Sequence, residues 1–454
     1  MKKPQPKKPG KEPARDEPGL AARAGAAALL DAVLKERRPF DDAFTAETGS
    51  GHLRDATPRD RAFARAIAAT ALRRLGTIDH VLAQLMDREL PKRAGATQNI
   101  LRAGAAEILF LRVAAHAAVG MNVEAASRDE NARHFKALVN AVLRRLAREG
   151  DAILDSLDTE RLDTPDWLWK SWSAAYGEET ARRIARAHYA DPPLDISVKR
   201  AEERNERADA LGAMILPTGT LRLEDAGRIE ELPGFGEGAW WVQDAAAALP
   251  AKLLGDVTGR DVLDLCAAPG GKTAELAAAG AHVTALDRSA PRLERLKQNL
   301  SRLGLDAETV VADATAYAPG RQWELILLDA PCSSTGTARR HPDVLHLKSP
   351  GDRDKLAALQ TKLLAHAATL LAPGGTLVYC TCSLEPEEGA RQVEDFLAAH
   401  KDFRREPIAA AELGGIGEIV TNEGDLRSLP CHLAELGGID GFYAARLHRL
   451  PAAG

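Results

Sequence analysis

Aromatic side chains make up only 4% of this 454-residue chain, and cysteine is scarcer still: five residues, all beyond position 265. An odd handful of thiols in so long a chain argues against a disulfide framework. Cys380 and Cys382 are separated by one residue, short of the roughly two to four of a zinc knuckle, and no Cys or His pair answers them. No metal site is expected. Long apolar runs are also missing: the longest candidate, Ile108 to Val123, carries Arg112 and His116 and does not reach the ~18 residues of a membrane span. The N-terminus has lysine and proline without the apolar core of a secretory signal, so a cytoplasmic address and no membrane partner are expected. Neither sign of charge dominates, with 60 Lys+Arg against 65 Asp+Glu, so any nucleic-acid surface has to be a local basic patch.

What is present fits a globular protein: 45% hydrophobic and 28% charged residues. The length suggests about three domains. Residues 1–19 are rich in Pro and Lys with almost nothing apolar to offset chain entropy, and a disordered tail is expected there. From Ala21 to about Gly150 apolar residues recur three and four apart, which predicts five to seven helices in an all-α domain over 20–150. Thr57-Pro58 and Thr97 are candidate helix starts. The segment HFKALVNAVLRRLARE places Phe135, Leu138, Val139, Val142, Leu143 and Leu146 on one face, and leaves Lys136, Arg144, Arg145 and Arg148 as a basic rim open to RNA phosphates or to solvent. Residues 151–255 change character: Trp167, Trp169, Trp172, Trp240 and Trp241 fall here, and Asp191-Pro192-Pro193 ends the helical pattern. A small α+β linker subdomain is expected, with its tryptophans in the core rather than stacked on bases.

From 256 to 450 short apolar strands (VLDLC, HVTALD, TVVAD, LILLDA, GTLVYCTCS, GFYAARLHR) alternate with helices, the signature of a doubly wound parallel sheet. The first strand runs into Cys266-Ala267-Ala268-Pro269-Gly270-Gly271-Lys272, small residues that let a backbone approach a ligand at a helix N-terminus. This turn is neither G-x-G-x-x-G nor a phosphate-binding loop, since Cys266 stands where the latter has its first glycine. Asp264, Asp287, Asp313 and Asp329 fall at successive strand ends, where they are expected to point into the crevice at the carboxyl edge of the sheet. Asp287 is placed to accept ribose hydroxyls. An adenosine cofactor without phosphate remains, which indicates S-adenosylmethionine. Cys332 and Cys382 end the fourth and fifth strands on the same crevice, and a thiolate is the usual group to attack C6 of a pyrimidine. Cys266, Cys380 and Cys431 read as small apolar fillers.

Here the sequence resembles a known family, the RNA cytosine-C5 methyltransferases of the NOL1/NOP2/Sun type. The resemblance rests on DLCAAPGGKT (264–273), ALD (285–287), ADAT (312–315), LLDAPCSSTGTARRHPD (327–343), LVYCTCSLEPEE (378–388) and DGFYAARLHR (440–449). It implies a Rossmann-like S-adenosylmethionine-dependent methyltransferase domain with Cys382 as nucleophile and Cys332 assisting release of the methylated base. Residues 20–150 resemble the NusB-type helical RNA-binding domain, through LRAGAAEILFL, HAAVGMNVEAA and ALVNAVLRRL. The combination is similar to bacterial enzymes that methylate 16S ribosomal RNA, so RNA is the expected partner, DNA is not, and a monomer is expected. SVK (197–199), QDAAA (243–247) and Gly389 depart from the family's usual residues.

On this reading the cofactor lies across Cys266 to Lys272, with Asp287 on the ribose and Asp313 near the adenine. Asp329 lines the cofactor site and holds the cytosine edge, and Lys272 polarises the base. The same chemistry on tRNA or 23S rRNA, a non-catalytic RNA-binding factor, and a DNA methyltransferase using Cys332 remain as alternatives.

Overall fold

Alanine, leucine and arginine fill residues 20–154 with strong helix formers, and seven α-helices result. The computed structural model describes residues 19–224 and 226–451; apart from Gly19, the expected tail lies outside them. The helices are α1 (Leu20–Leu34), α2 (Phe40–Ser50), α3 (Pro58–Arg73), α4 (Leu75–Leu85), α5 (Thr97–Ala105), α6 (Ala115–Arg128) and α7 (Lys136–Leu154). Thr57 caps α3 by accepting the Asp60 amide at 3.1 Å, with Pro58 at the first helical position. On α7, Val139, Val142, Leu143 and Leu146 are buried, while Lys136, Arg144 and Arg148 are exposed. The unit runs past the expected boundary at 150, through α8 (Thr159–Asp163). The reason is local: the Asp163 carboxylate accepts the Thr77 amide of α4 at 2.8 Å, and Gly76 leaves room for the Leu162 carbonyl.

The second unit begins at Thr164. Its first elements are α9 (Asp166–Tyr176) and α10 (Glu178–Ala187). After the proline break come β1 (Leu194–Val198), α11 (Arg204–Leu211), β2 (Met214–Ile215), β3 (Leu221–Leu223) and β4 (Trp240–Val242). These strands form a sheet in the order β2-β3-β1-β4, antiparallel throughout. Trp172, Trp240 and Trp241 are buried and Trp167 and Trp169 half-buried, so this segment uses its tryptophans mainly as core.

The main sheet is built from α12 (Leu249–Lys252), β5 (Asp261–Leu265), α13 (Gly271–Ala278), β6 (His282–Asp287), α14 (Ala290–Leu303), β7 (Glu308–Val311), β8 (Trp323–Asp329), α15 (Val344–Leu347), α16 (Pro350–Leu370), β9 (Leu371–Thr381), α17 (Ala390–Ala399), β10 (Phe403–Arg405), β11 (Leu426–Ser428) and β12 (Phe442–Arg449). Its order is β10-β12-β9-β8-β5-β6-β7, with β11 paired to β12. Val262 of β5 packs into one core and Leu263 and Leu265 into the other, as the two-residue period of a strand covered on both faces requires.

The expected doubly wound parallel sheet is present, with antiparallel strands added at one side. β7 to β9 are parallel, but β12 runs antiparallel to β9 and to β10. A parallel return needs a long crossover, usually a helix. After β9 the one α-helix, α17, leads into β10, and the chain from there to β12 has β11 and short 3-10 turns but no α-helix. The reversal of strand order lies between β5 and β8, where open α/β sheets bind ligands.

Candidate active site

The loop from β5 to α13 forms the floor of the crevice. Cys266 takes a left-handed φ of 62°, and Gly270 one of 102°. A Cβ on Gly270 would also lie 2.6 Å from Leu296, so both conformation and space demand glycine there. Asp287, at the end of β6 and 2% exposed, accepts the Ala268 amide at 3.2 Å and the Ser289 amide at 2.8 Å. Arg292 of α14 binds the same carboxylate at 3.3 Å and also donates to the Ala268 carbonyl. Asp287 therefore ties the second strand to the small-residue loop. Asp313 stands beyond β7 on the exposed rim, where the amide and hydroxyl of Thr315 bind its Oδ1 at 2.8 and 2.7 Å. Those bonds hold its carboxyl below the usual range.

Asp264 departs from expectation. It lies one residue short of the strand end, is fully buried, and accepts the Thr273 hydroxyl at 2.6 Å, tying β5 to the first turn of α13 instead of lining the crevice. Burial pushes its carboxyl up to about 7, and its Oδ1 has no hydrogen-bond partner among the described residues.

Across the β5/β8 switch point, Lys272 Nζ donates to Asp329 Oδ2 at 2.7 Å and sits 4.8 Å over the Phe442 ring. Burial works against the Lys272 charge, but Asp329 outweighs it and the ammonium is held above its ordinary value. Cys332 follows β8 and Cys382 follows β9, and their sulfurs are 3.4 Å apart. Both are half-buried. The hydrogen bond between them splits their acidities: the contact with Cys332 holds Cys382 below the ordinary thiol value, helped by Ser334 and Lys272, while the same contact, with burial, raises Cys332 well above it. Cys382 is thus the thiol that ionises first. Cys380, by contrast, is buried, and burial followed by Asp329 at 3.6 Å pushes its thiol up.

The structure thus gathers Cys332, Cys382, Asp329 and Lys272 into one constellation, with Cys266 to Gly271 and Asp287 joined beside it and Asp313 apart on the rim. Sequence reasoning gave no role to Arg292, to Thr273 or to Glu388, which bonds both Ser333 and Ser383. The available signal was the repeated serine after each cysteine. Gly336 was also passed over. It donates its amide to the Cys382 carbonyl at 3.0 Å and accepts from Gly441 at 2.8 Å, and a Cβ there would lie 2.0 Å from the Gly441 carbonyl oxygen. Gly336→Ala is expected to destabilise the fold by about 2 kcal/mol or more, through displaced backbone. Thermal unfolding checks this, and an unchanged midpoint would refute the close approach.

The residues suit an adenosyl cofactor: a carboxylate at the second strand end, Asp287, bound to a loop of small residues in which Cys266 and Gly270 take left-handed φ, and a second carboxylate, Asp313, exposed on the rim. With that loop at the switch point of the sheet, the second unit is an S-adenosylmethionine-dependent methyltransferase domain, and the chain is an RNA methyltransferase. Comparison with known proteins says which kind. The pattern of the family described as 16S rRNA methyltransferase RsmB/F matches residues 251–448, and that of the NusB family matches residues 20–148. Ribosomal RNA small subunit methyltransferase B of Pseudomonas putida is 36% identical over 451 residues, covering 95% of this chain and 99% of that one. Its counterpart in Vibrio cholerae is 37% identical over 401 residues, covering 85% and 91%. The crystal structure of a methyltransferase homolog protein from Pyrococcus horikoshii, 27% identical, superposes with a TM-score of 0.52 over 66% of this chain and 98% of that one. The chain belongs to the 16S rRNA methyltransferase RsmB/F family.

Proposed function

We propose that the chain methylates C5 of one cytosine in 16S ribosomal RNA through a covalent bond between Cys382 and C6. The observation that carries this reading is the pair of sulfurs 3.4 Å apart at the ends of neighbouring strands, beside the Lys272–Asp329 ion pair. Cytosine C5 is not nucleophilic until a group adds to C6. The Cys382 thiolate forms that bond, and the electron density it supplies moves to C5. When bound, S-adenosylmethionine supplies an electrophilic methyl group at this point. Asp329 and Lys272 hold the exocyclic edge of the base, one accepting and one donating, while Asp287 accepts from the ribose of the cofactor and Asp313 borders its adenine. Cys332 gives up its own proton to solvent, its thiolate then takes the proton at C5, the C5–C6 double bond re-forms, and Cys382 leaves as the thiolate.

C5 and C6 are buried in a stacked helix, so the target base must be single-stranded or flipped out. Exposed Lys136, Arg144 and Arg148 on α7 offer the NusB-like domain a place for RNA phosphates. The assignment to 16S rRNA follows from the names of the relatives.

Bisulfite sequencing of total RNA from cells with and without the gene tests the proposal. One 16S cytosine should lose its mark in the deletion. Loss at a tRNA or 23S site instead would keep the chemistry and move the substrate. A second expectation concerns Asp287: Asp287→Ala should raise the cofactor KM by about 10-fold or more with a smaller effect on kcat, since a charge-assisted bond of about 1.5–3 kcal/mol is lost together with the loop's anchor. Steady-state kinetics at saturating RNA decide this, and an unchanged KM would remove Asp287 from the cofactor site.

A further inference from the structure

Glu388 touches neither thiol, yet both cysteine loops converge on it. Its side chain is fully buried, and among the described residues no lysine or arginine bonds it. Four donors fill its carboxylate. The Ser333 amide reaches Oε1 at 2.9 Å and Gln360 Nε2 reaches the same oxygen at 3.2 Å. The Ser383 hydroxyl donates to Oε2 at 2.6 Å, and the Ser333 hydroxyl donates there too. The two hydroxyls are themselves 3.0 Å apart. Each serine directly follows one of the cysteines. The backbone of Glu388 is fixed in turn: its carbonyl accepts the Tyr379 hydroxyl at 2.9 Å and the Thr381 hydroxyl at 3.1 Å, both from β9. Gln360 of α16 also donates to the Pro331 carbonyl at 2.8 Å, just before Cys332.

This arrangement answers a geometric problem. β8 and β9 are neighbours, and backbones paired in a sheet lie about 4.8 Å apart. Chains leaving neighbouring strand ends are free to diverge, and a sulfur contact of 3.4 Å requires them to be drawn together. We propose that Glu388 is a positioning residue whose carboxylate clasps Ser333 and Ser383 so that Cys332 and Cys382 stay in mutual hydrogen-bond contact. The clasp acts through Cys332 on the readiness of Cys382 to attack, and in this it rests on the assignment of Cys382 as nucleophile. The groups that face Cys382 and would register a change are Cys332, Ser334, Asp329 and Lys272, and the Glu388 charge itself also acts on Cys332, which Ser383→Ala, read beside Glu388→Gln, leaves in place. Glutamine keeps the shape of glutamate but not its charge: its oxygen can still accept from the two N–H donors, while its NH2 group meets two serine hydroxyls that must turn round to accept, so Glu388→Gln removes both charge-assisted hydroxyl bonds of the clasp without opening a cavity.

The test uses the full chain and reads Cys382 directly, by peptide-resolved alkylation with iodoacetamide across pH. In Glu388→Gln the midpoint of Cys382 alkylation should rise by about one pH unit, towards that of Cys332→Ala. Single-turnover methylation of a 16S rRNA transcript should fall on the order of 10- to 100-fold, as expected for a misplaced reacting group, at unchanged cofactor KM. In a Cys332→Ala background the same substitution should move the midpoint no further. A wild-type midpoint in Glu388→Gln would overturn the proposal, and so would an equal shift in the Cys332→Ala background, because a general loosening would then explain it. If Glu388→Gln does not fold, Ser383→Ala removes one hydroxyl of the clasp and is read in the same way. Alkylation needs no RNA, so its result stands apart from the nucleophile assignment, which falls separately if Cys382→Ala methylates normally.

Discussion

Cys382→Ala should abolish methyl transfer, with a loss on the order of 10⁴-fold or more in kcat and little change in affinity for cofactor or RNA. The size follows from the chemistry: without addition to C6, C5 has no electron density to offer, and no positioning by the remaining residues replaces that step. Alanine is smaller than cysteine, and the side chain is only half-buried, so the fold should persist. Incorporation of labelled methyl groups into RNA measures the loss, and a wild-type rate would move the nucleophile elsewhere. The pH profile supplies a second reading of the same residue. The thiolate is the reactive form, and the hydrogen bond from Cys332 holds Cys382 below the ordinary thiol value. More thiolate is therefore present at neutral pH than in a free cysteine. The rising limb of kcat/KM against pH should lie below the ~8.5 of an unperturbed thiol.

Much of this site could be read from residue order, because strand ends and the turns after them carry it. Asp287 and Asp329 fall where apolar runs stop, and the parallel register places them on one edge without further information. The two cysteines were visible as PCS and TCS at such ends. Their 3.4 Å contact was not, since it depends on a third segment, Glu388, which arrives after a turn and has no periodicity to mark it. Asp264 misled for a related reason: a strand-end position fixes where a residue stands, but the partner that turns it inward, Thr273, is set by how α13 packs. The sheet shows the same limit. β12 was recognised as a strand from its short apolar run, but its direction depends on the connection before it, and the short β10 and β11 that pair with it are three residues each. The helical unit was more legible, because the Thr57-Pro58 cap and the stripe on α7 are local signals that packing had only to accept.

Replacing Cys332 should have the opposite consequence to replacing Cys382. Cys332→Ala is expected to accumulate a covalent RNA adduct that survives denaturation and migrates as a slow band on a denaturing gel. In the resting enzyme the Cys332 thiol is held protonated first by its hydrogen bond with Cys382 and then by burial. Once the Cys382 sulfur is bonded to C6 it carries no negative charge, and the leading cause of the raised value is gone. What remains is burial and the Glu388 charge, which still favour the thiol, and the Ser334 amide, which favours the thiolate. On the proposed route Cys332, whose sulfur lies 3.4 Å from that of Cys382, is the group that takes the C5 proton once its own has been lost to solvent. Alanine cannot take that proton, the C5–C6 double bond cannot re-form, and Cys382 stays attached. The adduct should carry the transferred methyl label and should disappear in the Cys332→Ala, Cys382→Ala double variant. A band that persists in the double variant would place the covalent bond on another residue. Absence of any band, with wild-type turnover in Cys332→Ala, would assign the proton to a different base.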